Sequence, residues 1–225
     1  MLEVPDYPVT PFLGFADPVS SLLHLTAAAV SVWFGIGLIS QFNGERNAKV
    51  SLGIYLFGVV FMFSMSGTYH LLEQGGTARY VLKQLDHAAI WIMIAGTFTP
   101  FHMILLSKWE RWGILGPVWV AAITGLVLKT IFFDNFPEWL GLLFYLALGW
   151  LGLFSGKILS KQYGWYEIRY LGYGGIAYSV GAIFEFLQPP FLLTGVVGPH
   201  EIFHVAIIFG VYYHWRLIEK LCINK

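Results

Sequence analysis

Long apolar stretches alternate with short polar ones along the whole chain. A helix needs about 20 mostly apolar residues to cross a bilayer. Seven stretches meet that requirement, at approximately 18–40, 51–72, 84–106, 112–133, 138–159, 166–187 and 200–221. The intervals between them are short and hold most of the charge. No linker and no second regime of composition interrupts the series. Residues 1–225 are therefore expected to form one all-α integral membrane domain, a seven-transmembrane helix bundle. No symmetry between the two halves is visible, which argues against an inverted-repeat transporter.

Composition agrees with this pattern. Hydrophobic residues make up 57% of the chain and charged residues 12%, against roughly 25% charged in soluble domains. Net charge is zero, so no basic surface is offered to nucleic acid. The single cysteine, Cys222, excludes an intrachain disulfide. Residues 1–17 carry Glu3, Asp6 and Asp17 but no Lys or Arg, the wrong start for a secretory signal.

Orientation follows from the basic residues, which favour the cytoplasmic side of short loops. The odd-numbered loops and the C-terminal tail hold Arg46, Lys49, Lys108, Arg111, Lys157, Lys161, Arg169, Arg216, Lys220 and Lys225. The N-terminal side, with its adjoining span ends, holds only Arg79, Lys83 and Lys129. The N-terminus is expected outside and the C-terminus in the cytoplasm, in a membrane such as the bacterial cytoplasmic (inner) membrane.

Parity then decides which polar residues meet. Span two ends on the N-terminal side with Ser66 and His70, and span three starts there with Asp86 and His87. Span seven starts there with His200 and His204, span one with His24, and span six ends there with Glu185. His102 falls at the other face, as does His214, roughly 21 Å deeper than His200 at 1.5 Å per residue. Ionisable residues are costly within a membrane and usually mark sites in the bundle interior. Ser66 and His70 are spaced i, i+4, as are His200 and His204, so each pair shares a helix face. Two imidazoles one turn apart can bind one ion. His70 would complete a three-histidine set with an open fourth position. Three imidazoles suit zinc, with copper, iron or nickel as alternatives. Asp86 is then a candidate for holding a water beside the ion and taking its proton. His87, about 100° round the helix from Asp86, is a neighbour or an outer partner rather than a ligand.

Each residue also has a plainer use. His24, His87, His102 and His214 can be hydrogen-bonded packing residues. Ser66 can bond back to the carbonyl four residues earlier. Asp86, at the expected start of span three, can cap the helix. Glu73 and Glu185 read as interfacial, and "TFTP" (Thr97–Pro100) as a kink or end in span three. Gly172, Gly174 and Gly175 read as close helix packing. Trp109, Trp112, Trp139 and Trp165 read as interfacial anchors. His200-Glu201-Ile202-Phe203-His204 also spells the H-E-x-x-H of zinc peptidases, with Glu201 as base. That chemistry needs a third ligand, and the 21 residues after His204 offer polar groups only at the opposite face. Glu201, about 100° off the His200 axis, is left to point at the ion or at a headgroup.

The S-x-x-x-H of Ser66 to His70, the "LDHAAIWIMIAGTFTPF" block with Asp86, and the H-x-x-x-H of His200 to His204 resemble the hemolysin III branch of the progestin and adipoQ receptor superfamily. Motif order, the spans that carry the motifs and the span count all match, over nearly the whole chain. The resemblance implies a zinc ion (Zn2+) among spans two, three and seven, bound by His70, His200 and His204. It also implies a water held by Asp86 with Ser66 close by. The wider superfamily includes alkaline ceramidases, amide hydrolases that act on lipids. Animal adipoQ receptors look like ligand-stimulated relatives whose zinc site lies on the cytoplasmic side, opposite to the side expected here.

The expectation is a zinc-binding membrane protein that hydrolyses lipid amides or esters. Asp86 would shuttle the proton, and Ser66 would bond the water or help hold a developing oxyanion. Membrane lipids are its expected partners. A receptor or membrane-stress sensor with structural zinc is the second reading. A pore-forming cytolysin ranks last, for want of an amphipathic pore-lining face.

Overall fold

The computed structural model describes residues 9–190 and 192–223, the side chains as far as Leu221. Glu3, Asp6 and Lys225, which entered the charge reading, lie outside the described residues, as does the side chain of Cys222. The chain folds as α1 (Pro18–Gln41), α2 (Arg46–Leu71), α3 (Thr77–Pro100), α4 (Lys108–Ile131), α5 (Glu138–Trp150), α6 (Gly152–Tyr163), α7 (Trp165–Leu187) and α8 (Pro199–Ile218). α5 and α6 follow one another across Leu151 as a single rod, Glu138–Tyr163, so the eight helices make a seven-rod, all-α transmembrane bundle. Among the described residues there is no sheet, only two isolated bridges.

Five rods are apolar and long enough to cross a membrane on composition alone: Pro18–Gln41, Arg46–Leu71, Thr77–Leu105, Lys108–Ile131 and Glu138–Tyr163. α7 and α8 have the length, but ionisable residues such as Arg169, Glu185, His200, Glu201 and Arg216 interrupt their apolar run. Large apolar side chains point outward over much of the surface, including Trp33, Ile36, Phe57, Ile123 and Leu153. Such a surface is stable in contact with acyl chains, while the helices satisfy their own backbone groups. Trp109, Trp112, Trp139 and Trp165 are all exposed, within the first turns of α4, α5 and α7.

α2 occupies the centre. Its Leu52, Tyr55, Val59, Met62 and Phe63 join Ala89 and Met93 of α3 and Val211 and Leu217 of α8 in one buried cluster. α2 and α3 approach closely because Gly58 and Gly96 carry no side chain. A Cβ on Gly58 would lie 3.1 Å from the Ile92 carbonyl oxygen, and one on Gly96 3.3 Å from that of Ile54. A second cluster, built on Trp91, Phe98, Val118 and Tyr145, joins α3 to α4 and α5.

Three differences from the sequence reading have physical causes. α3 begins at Thr77 rather than at 84, because the polar "TARYVLKQ" stretch continues the helix beyond the apolar run. Gly76 is its N-cap, so Asp86 lies well inside the helix and does not cap it. At the other end, Thr97 and Thr99 bond back to carbonyls four residues earlier, and after Pro100 the chain widens into a π-turn over Phe101–Leu105. Gly172 and Gly175 do not mediate close packing. A Cβ on either would meet nothing within 4 Å, whereas Gly174 does pack, against the His214 ring. The open space beside Gly172 and Gly175 belongs to a cavity of about 2180 Å³.

Candidate metal centre

His70 comes from the last turn of α2, and His200 and His204 from the first turns of α8. One ring nitrogen from each lies within 4.8 Å of the other two, close enough to hold a metal ion together. The outer bonds of these rings are informative. His70 Nδ1 lies 2.8 Å from Asp17 Oδ2, and His200 Nδ1 lies 3.0 Å from Glu185 Oε2. A carboxylate only accepts, so both Nδ1 atoms carry the proton and donate. With both rings neutral each Nε2 is a bare lone pair, and the two Nε2 atoms face one another at 3.2 Å, so a proton or a metal ion has to sit between them. Two facing lone pairs repel, and a cation between them removes the repulsion. The donor set therefore fits a metal, with imidazole nitrogens inside and carboxylates holding two of the rings from outside.

His204 is held differently. Its ring stacks on His24, with centroids 3.8 Å apart and planes 20° from parallel. Its Nδ1 is buried and has no hydrogen-bond partner among the described residues. His24 packs its edge against Phe63 and is likewise buried without a bond at either nitrogen. It is a wall for His204 rather than a hydrogen-bonding partner.

Asp17 does more than orient His70. Arg79 donates to the same carboxylate oxygen at 2.6 Å and also to the Leu72 carbonyl. The backbone N–H groups of Ala16 and Asp17 donate to the Leu71 and His70 carbonyls. The start of α1 is thus stitched to the end of α2. Burial alone would push the Asp17 carboxyl up, but the bonds from His70 and Arg79 outweigh it and hold the group below the ordinary carboxylate range.

Ser66 of α2 and Asp86 of α3 lie beside one another, the hydroxyl near the carboxylate. Asp86, His70, His200 and His204 line the polar end of the large cavity. From there an apolar wall that includes Met93, Phe98, Ile176 and Ile207 runs towards His214.

Glu201 points neither at an ion nor at a headgroup. Its Oε1 accepts from Ser20 at 2.8 Å and its Oε2 from the Gly198 N–H at 2.7 Å. The residue that completes the H-E-x-x-H pattern ties α8 to α1 and caps its own helix. His87 donates from Nδ1 to the Lys83 carbonyl at 2.8 Å and makes no contact with the three-histidine group. The sequence reading missed Asp17 as a partner of His70 and took Glu185 for an interfacial residue. Parity already placed Glu185 in the histidine layer, and Asp17, just before span one, falls at the same level by the same rule.

The family model for haemolysin-III related proteins matches residues 15–215. The chain belongs to the haemolysin III family. It is 32% identical over 193 residues to "Hemolysin-3" of Bacillus cereus, covering 85% of this chain and 84% of that protein. It is 31% identical over 161 residues to "Hemolysin-3 homolog" of Bacillus subtilis (strain 168), covering 72% of each. It is also 28% identical over 186 residues to "Heptahelical transmembrane protein ADIPOR2" of Oryza sativa subsp. japonica, covering 75% of this chain and 80% of that one. These matches place this haemolysin III protein within the progestin and adipoQ receptor superfamily and in a membrane.

Proposed function

We propose that this haemolysin III protein is a zinc-dependent hydrolase of lipid amides or esters. One observation carries the reading. A three-histidine group with a carboxylate–hydroxyl pair beside it opens into a cavity of about 2180 Å³ with a long apolar wall, roomy enough for an acyl chain. His70, His200 and His204 would hold the ion, which when bound supplies a Lewis acid for a carbonyl and for water. Asp17 and Glu185 keep the His70 and His200 rings oriented with their Nε2 atoms inward. Asp86 takes a proton at its carboxylate and returns it to the leaving group, and Ser66 holds that carboxylate in place. The apolar wall orients the acyl chain and excludes water from it. The surplus of basic residues on the opposite loops supports a site at the outer face of the membrane, with the N-terminus outside.

The test is fatty-acid release from amide and ester lipids by purified, zinc-loaded protein in bilayers. Wild type releases fatty acid. Asp86→Asn stays folded and metal-loaded but is slower by about 10²–10⁴-fold. Wild-type protein with stoichiometric zinc that releases no fatty acid from any such lipid would sink the proposal.

A receptor or sensor reading has its own support. The same histidines join α2 to α8 around the start of α1, so an ion there would act as a structural clasp. It predicts that Asp86→Asn leaves signalling intact, whereas His70→Ala unfolds the bundle.

A further inference from the structure

The polar end of the cavity holds a second group that the three-histidine chemistry does not use. Lys129 stands in the last turn of α4 and lines the cavity, with only 2% of it exposed. An ammonium has three N–H donors and no acceptor. One is met by the Phe136 carbonyl at 3.2 Å, and the rings of Phe133 and Phe136 lie 4.8 and 5.0 Å from the nitrogen. The acids of this corner are engaged elsewhere. Glu138 pairs with Lys83 at 2.9 Å, and Asp134 accepts from the Tyr80 hydroxyl at 2.8 Å. Arg79, the remaining cation of this end, is bound to Asp17. Among the described residues Lys129 is thus the cation of this end that has no acidic partner within ion-pair distance. Burial of an ammonium is costly without a counter-charge, and two aromatic faces offset only part of that cost.

His87 stands at the same corner. Its Nδ1–H is committed to the Lys83 carbonyl, so Nε2 of the neutral ring is an acceptor. Its edge packs on Phe133, the ring that also faces Lys129, with centroids 5.3 Å apart. His87 follows Asp86 in the chain and also lines the cavity. An ammonium with spare donors and an imidazole acceptor therefore flank the cavity beside the three-histidine group.

We propose that Lys129 and His87 form a headgroup subsite for a lipid that carries an anionic phosphate. The proposal rests on the lipid-hydrolase reading and names its substrate class as an anionic amide or ester lipid. Lys129 donates its two spare N–H groups to the phosphate oxygens, and His87 Nε2 accepts from a hydroxyl of the same headgroup. The acyl chain then lies along the apolar wall, and its carbonyl reaches the three histidines. Glu138 and Asp134 keep the corner from collecting anions by charge alone, so recognition depends on the free donors of Lys129.

The experiment uses full-length, zinc-loaded protein in detergent and two soluble probes, dihexanoyl phosphatidic acid and uncharged dihexanoylglycerol, followed by tryptophan fluorescence. Wild type binds the phosphatidic acid at least about tenfold tighter, as a charge-assisted contact requires. Lys129→Met, which keeps the apolar stem, removes that preference, while zinc stoichiometry and affinity for the neutral probe stay unchanged. Lys129→Arg retains most of the preference. Equal affinity of wild type for the two probes overturns the proposal and needs no variant that folds. So does a Lys129→Met protein that still prefers the anion. Inorganic phosphate that displaces the lipid at matched concentration assigns the corner to a free anion and overturns the headgroup reading. Turnover is scored separately. A protein that discriminates the probes but hydrolyses no lipid keeps the subsite and loses the hydrolase.

Discussion

His102 and His70 are both buried histidines near the end of a membrane helix, yet they are wired in opposite ways. His102 Nδ1–H donates to the Phe98 carbonyl at 2.8 Å, and its Nε2 accepts from the Ser155 hydroxyl at 3.2 Å. Both of its nitrogens are satisfied, and the ring joins the end of α3 to α6. His70 also donates from Nδ1, but to Asp17, and its Nε2 faces the Nε2 of His200 rather than a hydroxyl. The first arrangement is complete without a ligand. The second is complete only with a cation. What distinguishes a structural histidine from one that could ligate an ion here is the commitment of the second nitrogen, since both are buried.

The comparison breaks most directly through metal content. His70→Ala is expected to take bound zinc from about one ion per chain to near zero, while His102→Ala leaves it unchanged. Elemental analysis of purified protein decides this, and equal losses in the two variants would erase the distinction. The outer carboxylates sharpen it. Asp17→Asn and Glu185→Gln should each weaken zinc binding by about 10–100-fold in competition with a chromogenic chelator. Ser155→Ala leaves His102 Nε2 without its donor and should cost about 1–3 kcal/mol in thermal unfolding, with metal content unaltered. The smallest effect belongs to Glu201→Gln, which weakens the cap of α8 by about 0.5–2 kcal/mol. If that variant instead lost all hydrolysis while keeping its zinc, Glu201 would be a base after all.

The bundle and the inner histidines were legible in the sequence because both follow from simple periods. Apolar run lengths report spans, and the i, i+4 spacing of His200 and His204 with the parity of His70 reports one layer. The outer carboxylates were harder. Asp17 reaches His70 from the residue just before α1, and Glu185 reaches His200 from the end of α7. At span ends an acid serves the interface as readily as a site, so only the tertiary arrangement distinguishes them. Asp86 was misjudged as a possible cap because the apolar run is shorter than the helix that contains it. Gly172 and Gly175 show the same limit. Small residues permit close approach, but they serve equally to leave room.

The contact between His70 and His200 joins residues 130 positions apart, and the hydrogen bond between Ser20 and Glu201 spans 181. Chains are made from the N-terminus, so neither can form until the last membrane helix has been synthesised and inserted. A chain that stops short of α8 has the first half of the centre and nothing to close it. The three-histidine centre is therefore also a marker of completed biogenesis, registered only when α2 and α8 have found each other.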